Sequence, residues 1–167
     1  IADSVVPVAM TMYGAEGERE VEEAEGIDIT DAATARTLTA KKGDLADLRG
    51  NSMAMSEEFI MDSGYSLGRT AKVALGDGKP IKLKIVAVTH AAPTLQGDIL
   101  VPAELARQHG SVDVDRVYVM PADGVSIADI RHDLAATDAR VATSATWIDA
   151  ADKHMRRNNQ LSLWVLL

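Results

Sequence analysis

Thr70-Ala71-Lys72-Val73-Ala74-Leu75, Gly76-Asp77-Gly78-Lys79-Pro80 and Ile81-Lys82-Leu83-Lys84-Ile85-Val86-Ala87-Val88 follow one another without a break, and together they decide the fold class. Two runs of strand formers flank a segment of turn residues, the pattern of a β-hairpin. In the second run Ile81, Leu83 and Ile85 alternate with Lys82 and Lys84, so one face is apolar and the other wet. Val86 and Val88 then occupy the lysine positions, which predicts that the strand passes into a region buried on both sides.

Upstream of the hairpin, Val5 to Tyr13 is rich in strand formers, and Pro7 within it points to an edge strand. The acidic run from Glu16 to Glu25 reads as a solvated connection and the polar face of a strand ending at Ile27. Thr30 or Asp31 is placed to cap a short helix through Leu38, with Lys41-Lys42-Gly43 as its basic last turn and stop. Met53-Ala54-Met55 predicts a strand. Ser56 then caps a helix that starts with Glu57 and Glu58, packs Phe59, Ile60 and Met61, and ends at Gly64.

Downstream, Gly97 to Val101 predicts a strand, and Pro102 opens a helix through Leu105 that Gly110 ends. Val117 to Met120 is a further strand. Ser126 and Asp129 form a capping box before Ile127, Ile130 and Leu134 at helical spacing, and Val141 lies in a returning strand. From Ala145, Ile148, Ala151 and Met155 share a helical face with Lys153, Arg156 and Arg157 off it. A helix from there to Leu167 would be roughly 35 Å long. The uncharged close, Leu161 to Leu167 with Trp164, is expected to lead into a membrane helix.

The chain has 167 residues, 47% hydrophobic and 25% charged, which suits a packed domain. Its net charge of -8 argues against a nucleic-acid partner. Cysteine is absent, so disulfides, thiolate nucleophiles and Cys-ligated zinc are excluded.

Motifs that carry chemistry are incomplete. Gly76-Asp77-Gly78-Lys79 lacks the spacing of a phosphate loop and has Pro80 where a hydroxyl is needed. Gly50-Asn51-Ser52-Met53-Ala54 resembles a nucleophile elbow with alanine in place of its last glycine. The four histidines have no metal-ligand spacing, and Asp113-Val114-Asp115 lacks the remaining ligands of a calcium loop. A small serine hydrolase using Ser52, His132 and a carboxylate is one alternative, and a stand-alone solute-binding protein another. No catalytic, cofactor or metal residue is assigned.

From Gly26 onward the order of features resembles the extracytoplasmic, MacB-like periplasmic core domain of FtsX-like ABC-transporter permeases, particularly actinobacterial ones. Gly26-Ile27-Asp28 is similar to their G-V-D, Gly43 to Gly50 to their G-x-L-x-x-L-x-G, and Ser52 to Ser56 to their V-A-V-S strand. Gly64 to Val88 resembles their G-x-x-x-G-D-x-V-x-L hairpin followed by V-V-G-V, with Arg69 in place of Asp and Ala87 in place of Gly. Asp98 to Pro102, Arg116 to Val119 and Asn158 to Leu167 complete the series.

The resemblance implies an α+β fold: a small β-rich, barrel or sandwich-like subdomain at residues 1–101, a strand-helix-strand layer at 102–144, and a stalk helix leading to a membrane helix at 145–167. It implies a non-catalytic domain on the extracytoplasmic side of the cell membrane. Its partners would be a cytoplasmic ABC ATPase, a second permease subunit or half, and an unidentified transported substrate. The stalk residues expected to couple domain to membrane are Ile148, Ala151, Met155, Arg156, Arg157 and Trp164.

Overall fold

The computed structural model describes residues 2–14, 18–30, 38–90, 97–110, 116–119 and 124–135, with backbone alone at 2–4 and 116–119. The chain divides into two compact units, residues 1–120 and 121–167.

In the first unit the strands are β1 (Ala2–Tyr13), β2 (Arg19–Ile27), β3 (Ala40–Gly43), β4 (Ser52–Ser56), β5 (Thr70–Ala74), β6 (Pro80–Thr89), β7 (Ile99–Pro102) and β8 (Arg116–Val119). Helices α1 (Glu57–Ser63) and α2 (Ala103–Gln108) follow β4 and β7, and Leu45–Asp47 forms a single 3-10 turn. The order β2-β7-β4-β6-β5-β1 is closed by a β1–β2 pairing, so six strands form a ring. The barrel is mixed, with parallel seams at β2–β7 and β4–β6.

Closure depends on the length of β1. Its Val6 to Tyr13 pair with β2, its Thr11 to Tyr13 also pair with β5, and its Ala2 to Val5 pair with β8. The expectation of an edge strand is therefore corrected. Pro7, which has no N–H to donate, falls between the β8 and β5 pairings, where among the described residues β2 is the ladder neighbour of β1.

Alternation sorts the side chains into two cores on opposite faces. Met10, Met12, Met53, Met55, Leu83 and Ile85 point into the barrel, where flexible thioethers fill an irregular space. Leu105 and Ala106 of α2 join this core, and Phe59, Ile60 and Tyr65 pack against it. A Cβ on Gly26 would lie 2.6 Å from that of Ala106, so a glycine there allows α2 to seat on β2. The second core, outside the barrel, joins Val5, Ile27, Ala54, Ala87 and Leu100 to Leu38, Leu45 and Leu48.

The hairpin appears as expected, with Thr70 to Ala74 paired to Pro80 to Lys84. Its second strand differs in one respect. The register against β4 shifts between Met53/Ile85 and Ala54/Ala87, a β-bulge at Val86. Val86 and Ala87 thus both join the outer core, and Val88 returns to the face opposite Lys82 and Lys84.

Two local expectations are corrected. Lys41-Lys42-Gly43 is not a helix end but part of β3, whose Lys42 and Gly43 pair with Val88 and Ala87. Gly43, at φ 76°, leaves 2.1 Å between a would-be Cβ and the Val86 carbonyl, so the glycine serves this close approach. Met61 does not pack but is 70% exposed, because Phe59 and Ile60 already take the inner face of α1. The helix expected before Leu38 and the strand at Val141 lie outside the described residues.

In the second unit α3 (Ile127–Asp133) carries the expected capping box, Ser126 and Asp129 bonding reciprocally.

Leu83 is fully buried whereas Lys82 is exposed. Leu83→Ala is expected to lower unfolding free energy by about 2–5 kcal/mol in urea titration, and Lys82→Ala to change it by less than about 0.5 kcal/mol. Equal effects would mean that the facing of β6 is misassigned.

Candidate functional site

Ser52, the nucleophile of the hydrolase alternative, is 4% exposed at the start of β4. The Arg49 amide donates to its Oγ at 2.8 Å, and the hydroxyl donates to the Arg49 carbonyl at 2.9 Å, with the Asp47 carbonyl at 3.2 Å. This bonding fastens the 3-10 turn to the barrel and engages the hydroxyl with backbone groups of the turn. His132 is exposed on α3 in the other compact unit, and neighbouring Asp129 is engaged with Ser126.

Ser56 links α1 to β7. Its Oγ donates to Asp98 Oδ1 at 2.6 Å and accepts from the Phe59 amide at 3.1 Å, while its own amide donates to the Asp98 carbonyl at 2.7 Å. Lys41 and Glu57 form an exposed ion pair, and the hydrogen bond from Lys41 holds the Glu57 carboxyl below its usual range. Glu20 and Glu22 share the β2 face of Ala24, opposite Met12 and Met10. Burial, then Glu20 and Asp98, push the Glu22 carboxyl up. Burial first and Glu20 second push the Tyr65 phenol up. Among the described residues no group of three or more His, Cys, Asp or Glu is arranged to hold a metal.

The Gly76-to-Pro80 turn holds a carboxylate where a phosphate loop would offer amides. Asp77 Oδ1 accepts from the Lys79 amide at 3.1 Å and lies 3.1 Å from Nδ1 of His109, just beyond α2. Lys79 Nζ is 3.5 Å from the same carboxylate. The turn is thereby bound to the end of α2, a contact that joins residues 32 apart in sequence.

One outward-facing feature is legible only from register. Tyr13 stands opposite Arg19 on one side and Lys72 on the other, with the two cations 5.6 and 5.0 Å from its ring centroid. From sequence, Lys82 and Lys84 showed only a solvated face, since nothing local places Tyr13 beside a hairpin that begins at Thr70. The proposed coupling residues Ile148, Ala151, Met155, Arg156, Arg157 and Trp164 lie outside the described residues. No helix among the described residues is long and apolar enough to cross a membrane.

The Asp77 carboxyl is held below its usual range by the Lys79 amide first and His109 second. The unfolded chain therefore binds more protons than the folded one as pH falls below about 4, and the stabilisation present above that range is lost on acidification. Asp77→Asn is expected to be less stable than the parent at pH 7, with the gap narrowing toward pH 3, read from urea midpoints. A gap independent of pH would show the carboxylate charge to be inert.

No protein-family model matches the sequence, and no curated protein does. Solved structures do. A domain described as belonging to a permease protein of Porphyromonas gingivalis aligns with a TM-score of 0.57 at 19% identity, covering 81% of this chain and 61% of that one. The periplasmic region of MacB from Actinobacillus actinomycetemcomitans aligns with a TM-score of 0.56 at 14% identity, covering 80% and 63%. The chain thus spans about three fifths of the length of each of these domains, and at such identities what it shares with them is the fold.

Proposed function

We propose that this chain is the extracytoplasmic domain of an FtsX-like, MacB-type ABC-transporter permease, seated outside the cell membrane and without catalysis of its own. The observation that carries this reading is the fold shared with the MacB periplasmic region over 80% of the chain. The order of motifs from Gly26 onward supports it independently, because it rests on local sequence and not on coordinates.

In this reading a separate cytoplasmic ATPase supplies the energy, and a paired permease subunit or half presents a second such domain. Displacement of the domain drives export of a substrate or activation of an external partner. A closed barrel suits that task. Each of its six strands is hydrogen-bonded to a neighbour on both sides, so the body moves without shearing internally.

Location is testable because the chain contains no cysteine. Lys79, whose side chain is 80% exposed in the hairpin turn, becomes the only thiol of the domain in Lys79→Cys. In the full-length permease, freed of other cysteines, a membrane-impermeant maleimide is expected to label that thiol in intact spheroplasts. Labelling only after lysis would place the domain in the cytoplasm and end the proposal.

The segment from Ala145, with Ile148, Ala151 and Met155 on one face, is the proposed lever between domain and membrane. Replacing Asp152 and Lys153 by glycine removes about 1 kcal/mol of helix stability per residue relative to Ala. The reconstituted transporter is then expected to keep hydrolysing ATP while losing coupled export or partner activation. Full coupling with a measurably loosened helix would mean that force takes another route.

A further inference from the structure

Four residues on four neighbouring strands form one transverse row on the outside of the barrel. Arg19 of β2 stands opposite Tyr13 of β1, Tyr13 opposite Lys72 of β5, and Lys72 opposite Lys82 of β6. With strands about 4.8 Å apart the row is roughly 14 Å long. Lys84 extends it two residues along β6, opposite Thr70. The sequence neighbours Met12, Val73 and Leu83 point inward, so the row points outward, and its four cations are exposed around a half-buried Tyr13.

One pairing within the row opposes folding. Like charges directly opposite one another across a strand pair are destabilising, and Lys72 faces Lys82. Relief would be easy in a chain with 25 acidic and 17 basic residues. Yet the ion pairs seen among the described residues lie elsewhere: Lys41 with Glu57, Arg49 with Asp47, and Lys79 and His109 with Asp77. Protection of an exposed edge does not account for the lysines, because β5 and β6 each have a partner on both sides.

We propose that this row docks a short acidic segment of a partner polypeptide. The composition fits a protein partner: a tyrosine held between two cations presents an apolar platform with a polar tip, and Tyr and Arg are the residues enriched at interface hot spots. Charge complementarity fixes the sign of the segment. Its shortness follows from the rest of the molecule, since a long polyanion would run past a 14 Å row (roughly, from the strand spacing) onto a surface of net charge -8. A two-fold pairing of this face with a second copy would set lysines against lysines.

Position along β1 agrees. Val5 pairs with Arg116 of β8, the strand that precedes residues 121–167, whereas Tyr13 is eight residues further on, about 27 Å away along the strand. The row therefore lies at the end of β1 remote from β8. The docking proposal stands without this step, and its experiment needs only the isolated chain.

The probe is a fluorescein-labelled five-residue peptide, Glu-Ser-Glu-Ser-Glu, which extended spans roughly the length of the row, followed by anisotropy against the 167-residue chain at low ionic strength. Saturable binding that weakens with salt is expected. Lys82→Glu with Lys84→Glu should weaken it about tenfold, as for loss and reversal of two exposed ion pairs. Tyr13→Ala should weaken it, Tyr13→Phe should largely preserve it, and Lys42→Glu, exposed on β3, should leave it unchanged. In the absence of peptide, Lys82→Glu should raise Tm by relieving the repulsion with Lys72, which also reports that the variant folds. The proposal is overturned by absence of saturable binding or by an equal effect of Lys42→Glu and Lys82→Glu. It is equally overturned if tripolyphosphate or phosphatidylglycerol vesicles bind through these lysines more tightly than the peptide.

Discussion

The double pairing of β1 is the constraint on which the rest of this molecule depends. One strand of 12 residues hydrogen-bonds to β2 along most of its length and to β5 at its C-terminal end. Without the second ladder the sheet would be open, with Met10, Met12, Val73 and Leu83 on a face exposed to water. Closure removes that face from solvent and leaves the ring no free edge strand, which is the full solution to the edge problem in β proteins. It also fixes α2, because the helix seats against β1, β2 and β7 only when those strands are held side by side at Gly26.

A closed ring would ordinarily have one apolar face and one wet face, but here the outer face is divided. The bulge at Val86 turns two consecutive residues of β6 outward, and with Ala54, Leu100 and Ile27 they make an apolar area that Leu38, Leu45 and Leu48 cover. On the other side of the bulge, Lys82 and Lys84 continue an alternation that stays in water. One inserted residue thus separates the part of β6 that joins the outer core from the part whose outward side chains stay in water.

What could be seen in the sequence was local. The hairpin around Gly76 to Pro80, the Ser56 cap and the Ser126–Asp129 box each involve residues only a few positions apart, so propensity and spacing suffice to place them. Lys41-Lys42-Gly43 misled because a basic run before glycine is the signature of a helix end, and only pairing with Ala87 and Val88 makes it a strand. Ring closure, the parallel seams and the bulge depend on partners tens of residues away, which one sequence does not reveal. The same holds for the surface: Lys82 and Lys84 were legible as a wet face, but not as part of a row with Tyr13 and Arg19. The stalk residues proposed from sequence fall outside the described residues.

The distribution of side-chain bonding ties the irregular segments of the barrel to its strands. Three polar side chains serve as joints. Ser52 secures the 3-10 turn, Ser56 binds α1 to the start of β7, and Asp77 binds the hairpin turn to His109 beyond α2. Each joint fixes an irregular segment close to the end of a strand. The repulsion retained between Lys72 and Lys82 runs against this pattern, since it weakens a ladder in the middle of the ring. The contacts of Arg19 and Lys72 with the Tyr13 ring offset part of that cost, so the ring at the centre of the row helps to hold its cations together.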